Sequence, residues 1–354
     1  MSLIKKFLLG IFCVCILGCE KSETEYFESM DTFMKVQCYG KNPSEANDIA
    51  QKKIGELNVL ISVTKPESDI YKINNATSFP VEVSDDTISV IKDSIQIAKM
   101  TNGAFNPVLY PITKAWGFTT KQYRVPSDSE IAELLQLTNY NDVEIKGNSV
   151  YLKPGMMFDL GGIGKGWAGD EAIKILRQNG VKSAILDLGG NVQTIGSKTD
   201  GTAWQVGLQN PWGDGAVAAL KIKNEAMITS GGYVRYFTGD DGKKYIHIMN
   251  GITGRPVEND IVSSTIITET GTYADGLSTA TYVLGKEKSI ELWKKHKNFE
   301  MILLSPDKSI CYTKGLEGKI DLLFDFTSVE VINIENICGR DCSTCAAVDR
   351  NKWR

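Results

Sequence analysis

The chain has 354 residues, 42% hydrophobic and 23% charged, with a formal net charge of −4. With a pI near 5.5 it carries no basic footprint for a nucleic-acid partner. Its length and apolar content suffice for one large domain or two closely packed subdomains.

Lys5 and Lys6 precede an apolar run from Phe7 to Leu17, too short to span a bilayer and suited to a signal-peptide core. The run closes on Ile16-Leu17-Gly18-Cys19, the pattern of a bacterial lipobox. An ordinary signal peptide that happens to contain cysteines is the alternative. On the lipobox reading residues 1–18 are removed, Cys19 is lipidated, and residues 19–29 form a polar, acidic tether. The protein is then exported and held at the cell membrane by lipid. Cys13 and Cys15 leave with the signal; Cys38, Cys311, Cys338, Cys342 and Cys345 remain, an odd number that no disulfide set consumes.

FMKVQCYG (33–40) reads as a strand. Ala46, Ala50, Ile54, Leu57 and Ile61 then mark one helical face behind Pro43-Ser44. Ile88, Ile91, Ile95 and Ala98 mark a second, stopped by Asn102-Gly103. Ser127 and Glu130 open a third with a capping box. Short strands and glycine turns follow from about 143, broken by a helix near 166–179 and by two more at 273–284 and 286–297. The mixture lacks regular βαβ alternation, so the fold class is α+β. The word Asp-Leu-Gly-Gly occurs at 159–162 and again at 187–190, either by chance or as a duplicated strand-to-turn unit.

MFDLGGIGKGWAGD (157–170) contains Gly164, Gly166 and Gly169 in a G-x-G-x-x-G spacing, with Asp187 about 20 residues on. A dinucleotide fingerprint sits directly between its strand and helix. Here Asp159 and a Gly-Gly pair intervene, and an acid there would face the pyrophosphate. The spelling is therefore read as incidental, and Asp187 as the second copy of the turn. What remains is Asp159, bare backbone at 161–164, Lys165 and a helix N-terminus. That set suits a phosphate, a metal or a sugar hydroxyl, or is simply a tight turn.

In TYADGLSTATYVLG (272–285), Asp275 and Thr279 share a helical face with Ser278 alongside. Three oxygens in one patch suit Mg²⁺. The alternative is a capping box of Thr272 and Asp275. His247 alternates outward on a strand leading into a Gly/Asn/Pro turn; a lone histidine is more often structural than catalytic, but the glycine-rich turn beside it favours a role in a site. His296, in the basic run KKHK, reads as solvated.

In this order, from Met30 to about residue 325, these segments resemble the ApbE family, the FAD:protein FMN transferases. The resemblance implies a mixed α+β fold and a Mg²⁺-dependent split of FAD. FMN passes to a Thr or Ser hydroxyl of an acceptor flavoprotein bearing D-x-x-[ST]-G-[AS]-T, part of a membrane redox complex, and AMP leaves. It also implies roles by position. Met30, Ala104-Phe105-Asn106, Asp159, Lys165, Thr229-Ser230-Gly231 and Met249 bind FAD. Gly162 (through its carbonyl), Asp275, Thr279 and, less closely, Ser278 bind the metal, and His247 deprotonates the acceptor. The family's S-x-Y element appears as Ser62-Val63-Thr64; Thr64 cannot stack on a flavin, which leaves FAD hydrolysis to FMN and AMP as an alternative. A flavin-binding lipoprotein without turnover is a third reading.

The resemblance stops before residues 326–354. Cys338-x3-Cys342-x2-Cys345 suits an iron–sulfur cluster or zinc if a fourth ligand joins, or equally a disulfide with a spare thiol.

Overall fold

A computed structural model describes residues 21–333, apart from Lys41 and Val234. Cys19 and the Cys338, Cys342, Cys345 group lie outside the described residues. Nine strands form the main sheet, in the order Lys21–Ser29 (β1), Thr32–Gly40 (β2), Ser183–Leu188 (β6), Val192–Ile195 (β7), Ala226–Gly231 (β10), Ser263–Thr268 (β15), Glu300–Leu304 (β16), Ile310–Thr313 (β17) and Val329–Ile332 (β19). All neighbours are antiparallel except β17 and β19. That pattern excludes a doubly wound sheet and agrees with α+β.

A three-stranded sheet of Trp204–Gln209 (β8), Ala216–Ile222 (β9) and Ile320–Leu322 (β18) covers one face of the main sheet through a cluster containing Trp204, Leu208, Met227 and Ile302. Val81–Glu82 (β3), Glu144–Lys146 (β4) and Ser149–Tyr151 (β5) form a small sheet. Tyr236–Thr238 (β11) pairs with Lys244–Ile246 (β12), and Met249–Asn250 (β13) with Arg255–Pro256 (β14).

Seven helices are described: Pro43–Leu60 (α1), Asp69–Asn74 (α2), Asp85–Met100 (α3), Tyr110–Ala115 (α4), Asp128–Leu135 (α5), Gly164–Gln178 (α6) and Gly271–His296 (α7). α1, α6 and α7 pack on the other face of the main sheet, where Val36, Leu186 and Ile228 meet Ile54, Trp167 and Leu277 in the principal core. The predicted apolar faces hold: Ala46, Ala50, Ile54 and Leu57 are buried along α1. The two helices expected at 273–284 and 286–297 are one element, kinked at Gly285 (φ 74°).

Four expectations are corrected. Lys21–Ser29 is no tether; it pairs along its whole length with β2, from Lys21–Gly40 to Ser29–Thr32. Its polar composition is that of an edge strand with an exposed face. The 325 boundary falls short, because Val329–Ile332 joins the main sheet. The strand implied ahead of the first Asp-Leu-Gly-Gly turn does not form at residues 156–160: the Asn74 side chain bonds the Phe158 N–H (2.7 Å) and C=O (2.9 Å) in a partner strand's place. The two Asp-Leu-Gly-Gly words fold differently, which argues against a duplication. Gly189 and Gly190 have φ of 68° and 88° in the β6–β7 hairpin, whereas Gly161 and Gly162 enter α6 without positive φ.

The α6–α7 contact depends on missing side chains. A Cβ on Gly166 would lie 2.1 Å from the Gly271 carbonyl oxygen, and one on Gly169 2.1 Å from Gln193 Nε2. Gly166→Ala should destabilise the protein by about 3 kcal/mol, because backbone rather than a flexible side chain must retreat. A urea titration that left the midpoint unchanged would contradict this.

Candidate active site

The close approach of α6 and α7 sets the first wall of the site. Asp170 of α6 accepts the N–H groups of Gly271 (2.7 Å) and Thr272 (2.8 Å) and the Thr272 hydroxyl (2.6 Å). It caps α7 from outside, so the capping box of Thr272 with Asp275 does not form. Burial pushes the Asp170 carboxyl above the usual range, opposed by those three donors. Asp275, 4% exposed, is left free to face inward and takes the Gly166 N–H on Oδ2 at 2.8 Å.

Asp275 belongs to an oxygen-rich patch. Ser230, at the end of β10, reaches Ser278 Oγ (2.8 Å) and Thr279 Oγ1 (3.3 Å). Gly162 abuts the same hydroxyl: a Cβ there would lie 3.3 Å from Thr279 Oγ1. No three His, Cys, Asp or Glu side chains gather at a metal-ligand spacing among the described residues. One carboxylate with neighbouring hydroxyl and carbonyl oxygens is nonetheless a set that Mg²⁺ accepts, because it keeps waters and substrate phosphate in its other positions. Ser278 stands behind the patch, fully buried and bonded to the Asp275 carbonyl (2.9 Å), and does not reach the open cleft.

The patch opens into a cleft of about 1220 Å³. Lys165 lines it from the first turn of α6 and forms no ion pair among the described residues. Opposite, Asp159 is fixed by the Gly161 N–H (3.0 Å) and the Thr113 hydroxyl (3.0 Å). Ala104 and Phe105 line the neighbouring loop, with the Phe105 ring against Gly162. Asn106 is committed to the fold, donating to Thr138 O (2.8 Å) and accepting from the Val108 N–H (3.0 Å). Met30 enters from the β1–β2 turn, where it and Asp31 hold φ of 49° and 58°. Thr64 lines the rim and touches Ser62 Oγ at 3.2 Å, with no ring beside it on that loop.

Thr229, Ser230, Gly231 and Met249 complete the far wall. Here the strand expected for His247 breaks: β12 ends at Ile246, and His247 lies at a bend before β13. Its Nδ1 lies 3.1 Å from the Arg235 carbonyl, an acceptor, so Nδ1 carries the proton and Nε2 keeps a lone pair. Burial, aided by the positive charges of Arg235 and Lys165, lowers its pKa to about 4, against the pull of that hydrogen bond. The ring is therefore neutral at physiological pH. His296 is not solvated: its Nε2 is buried without a partner at the end of α7.

Sequence reading missed a further group in the cleft: Lys35, Asp187, Gln205, Gln209 and Arg235. The repeated Asp-Leu-Gly-Gly word was a signal for one of them, since both copies line the same cleft.

An antiparallel α+β fold with a carboxylate–hydroxyl patch, a lysine and a neutral histidine around one cleft defines a class of protein built to act on a phosphorylated substrate. The chain belongs to the ApbE family, whose model matches residues 30–303. Among curated relatives, an FAD:protein FMN transferase of Treponema pallidum is 30% identical over 82% of this chain and 87% of its own length. One from Klebsiella pneumoniae is 32% identical over 71% and 79%. The crystal structure of the ApbE protein from Thermotoga maritima superposes with a TM-score of 0.76 at 32% identity, covering 85% of this chain and 97% of that one.

The depressed histidine sets a pH prediction. An unfolded histidine titrates near 6.5. Because the folded value is lower, the stabilisation that goes with the neutral ring is present above about pH 6.5 and fades as pH falls towards 4. NMR titration of the free protein should show His247 taking its proton near pH 4. A midpoint near 6.5 would remove the basis for a pre-formed neutral base.

Proposed function

We propose that this protein transfers FMN from FAD to a threonine or serine hydroxyl of an acceptor flavoprotein, with Mg²⁺ required and AMP released. The observation that carries the reading is the convergence of His247, Lys165 and the Asp275–Thr279 patch on one cleft. Phosphoryl transfer needs positioning and charge neutralisation more than covalent help.

Each residue has a physical task. Lys165 offsets negative charge on the pyrophosphate. Asp275, Thr279 and the Gly162 carbonyl would hold Mg²⁺, which when bound neutralises charge developing on the phosphates. Asp275 is ready for that duty because the Gly166 N–H fixes one oxygen and leaves the other. His247 accepts the proton of the attacking hydroxyl on Nε2, its ring held by the Arg235 carbonyl. Anionic substrate beside the ring would raise its pKa from about 4 towards neutrality and make it a stronger base at the moment of use.

Thr64 favours a second reading. With a small hydroxyl in place of a ring at that rim, water can compete with the acceptor, and FAD would be hydrolysed to FMN and AMP. Incubation with FAD, Mg²⁺ and an acceptor bearing D-x-x-[ST]-G-[AS]-T separates the outcomes. A flavinylated acceptor supports the transferase, free FMN with AMP the hydrolase, and intact bound FAD a carrier. Asp275→Ala should lower AMP release at least 100-fold, and His247→Ala should do the same to transfer while FAD still binds. Retained activity in Asp275→Ala would remove the metal assignment.

We also propose that Cys19 is the lipidated N-terminus at the extracytoplasmic face. The argument rests on the basic and apolar residues that precede it. Cys19→Ser should move the protein from the membrane fraction to the soluble fraction; continued membrane retention would overturn the anchor.

A further inference from the structure

The residues assigned above to FAD and metal occupy only part of the cleft. Cross-strand register locates the rest. Along β2, Met34, Val36 and Cys38 point into the principal core, so Phe33 and Lys35 point to the opposite face of the main sheet. Lys35 is registered against Asp187 on β6 and against Tyr26 on β1. Lys35 and Asp187 both line the cleft, yet they form no ion pair with each other. The cleft therefore turns round the sheet and continues on its second face as an arm floored by β2 and β6.

The wall of that arm is β8. This strand is the end of its sheet, paired only with β9. Its burial alternates strictly: Trp204, Val206 and Leu208 are buried, while Gln205, Gly207 and Gln209 are exposed. All three of the exposed residues line the cleft. An edge strand presents a row of unpaired N–H and C=O groups, and the ligand that matches such a row is another extended polypeptide.

The floor continues outwards to two exposed aromatic rings. Tyr26 is 72% exposed and Phe33 78%, both on the face that carries Lys35. The Lys35 ammonium sits 5.8 Å from the centre of the Tyr26 ring. Exposed aromatics beside a charged floor are the composition of a protein-binding patch rather than of a nucleotide pocket. In the adjoining hairpin Asn191 is 3% exposed, and its Nδ2 has no hydrogen-bond partner. Such an orphan donor fits a hairpin whose polar groups are completed on binding.

We propose that this arm, from Tyr26 and Phe33 past Lys35 and Asp187 to the open edge of β8, is the docking site of the acceptor polypeptide. An extended segment of the acceptor pairs with β8 and delivers its hydroxyl along the cleft to His247. The inference rests on the transferase reading, which supplies a protein as second substrate. The occupant is a polypeptide because the wall offers backbone pairing and the outer floor offers aromatic contact.

The test uses the full-length protein and a flavin-free acceptor domain carrying D-x-x-[ST]-G-[AS]-T. Two variants are made at exposed positions: Tyr26→Ala with Phe33→Ala, and Gln205→Lys with Gln209→Lys, the latter placing charges that block edge pairing. Each should raise the KM for the acceptor at least tenfold, with kcat and the Kd for FAD within twofold of the unaltered protein. Hydrogen exchange should show the acceptor slowing amides in 204–209. An unchanged acceptor KM would overturn the proposal, as would absent protection at 204–209. An equal loss of FAD affinity would give the arm to the nucleotide instead. Self-association abolished by the aromatic substitutions would make the face a contact between copies. Failure of the unaltered protein to transfer flavin would count against the transferase reading, while the exchange experiment still decides docking.

Discussion

The site depends on one junction, the approach of α6 to the start of α7. Gly166 and Gly271 meet backbone to backbone, and Gln193 threads between them, donating to the Gly166 carbonyl at 2.9 Å. Asp170 holds the same junction from behind by capping α7. The carboxylate that ends a helix is thus supplied by the neighbouring helix, so α7 cannot shift without breaking its own cap. Asp275 lies one turn further along α7 and in return accepts an α6 amide, that of Gly166. Positioning of the Asp275 carboxylate and packing of the two helices are one set of contacts.

The same junction accounts for the electrostatics. Burial raises Asp170, and Asp93 nearby is raised by burial and by the Asp170 charge, with Lys174 opposing. Asp170 and Asp93 stand behind the α7 terminus, while on the cleft side burial, aided by the positive charges of Arg235 and Lys165, depresses His247. The cleft side is thus primed for an anion. Under the proposed function, a bound pyrophosphate would offset the positive charges that add to burial in depressing His247, so substrate binding and base strength would be linked.

Much of this was legible in the sequence, for reasons that differ by residue. The helix faces of α1 and α3 follow period 3.6, and α+β followed from the lack of βαβ alternation. Asp275, Thr279, Lys165 and His247 were found because they stand in local words at element ends. The G-x-G-x-x-G spelling was read as incidental; nothing local reveals that Gly166 packs on Gly271 and Gly169 on Gln193, distant in the chain, while Gly164 lines the cleft. Lys21–Ser29 looked like a tether because an exposed edge strand has a linker's composition. Lys35 and Gln205 were missed because only the pairing and packing of distant strands bring them to the cleft. Ser278 shows the converse: its spacing marked it as a ligand, but it faces Ser230 and the interior.

Two features of the cleft bear on the same competition. Thr64 leaves one rim without an aromatic cover, which under the proposed function would admit water to the reacting phosphate. The arm along β8 is open in the free protein, which admits it further. A neutral His247 will take a proton from water as readily as from an alcohol, so the base itself cannot choose between hydrolysis and transfer. Selection must come from occupancy: a polypeptide seated against β8 both presents a hydroxyl and displaces the water around it. On this argument the balance between the two reactions is set by how well the acceptor fills the arm. On the proposed function the residues that govern it are those of β1, β2 and β8, remote in sequence from Lys165, His247 and Asp275.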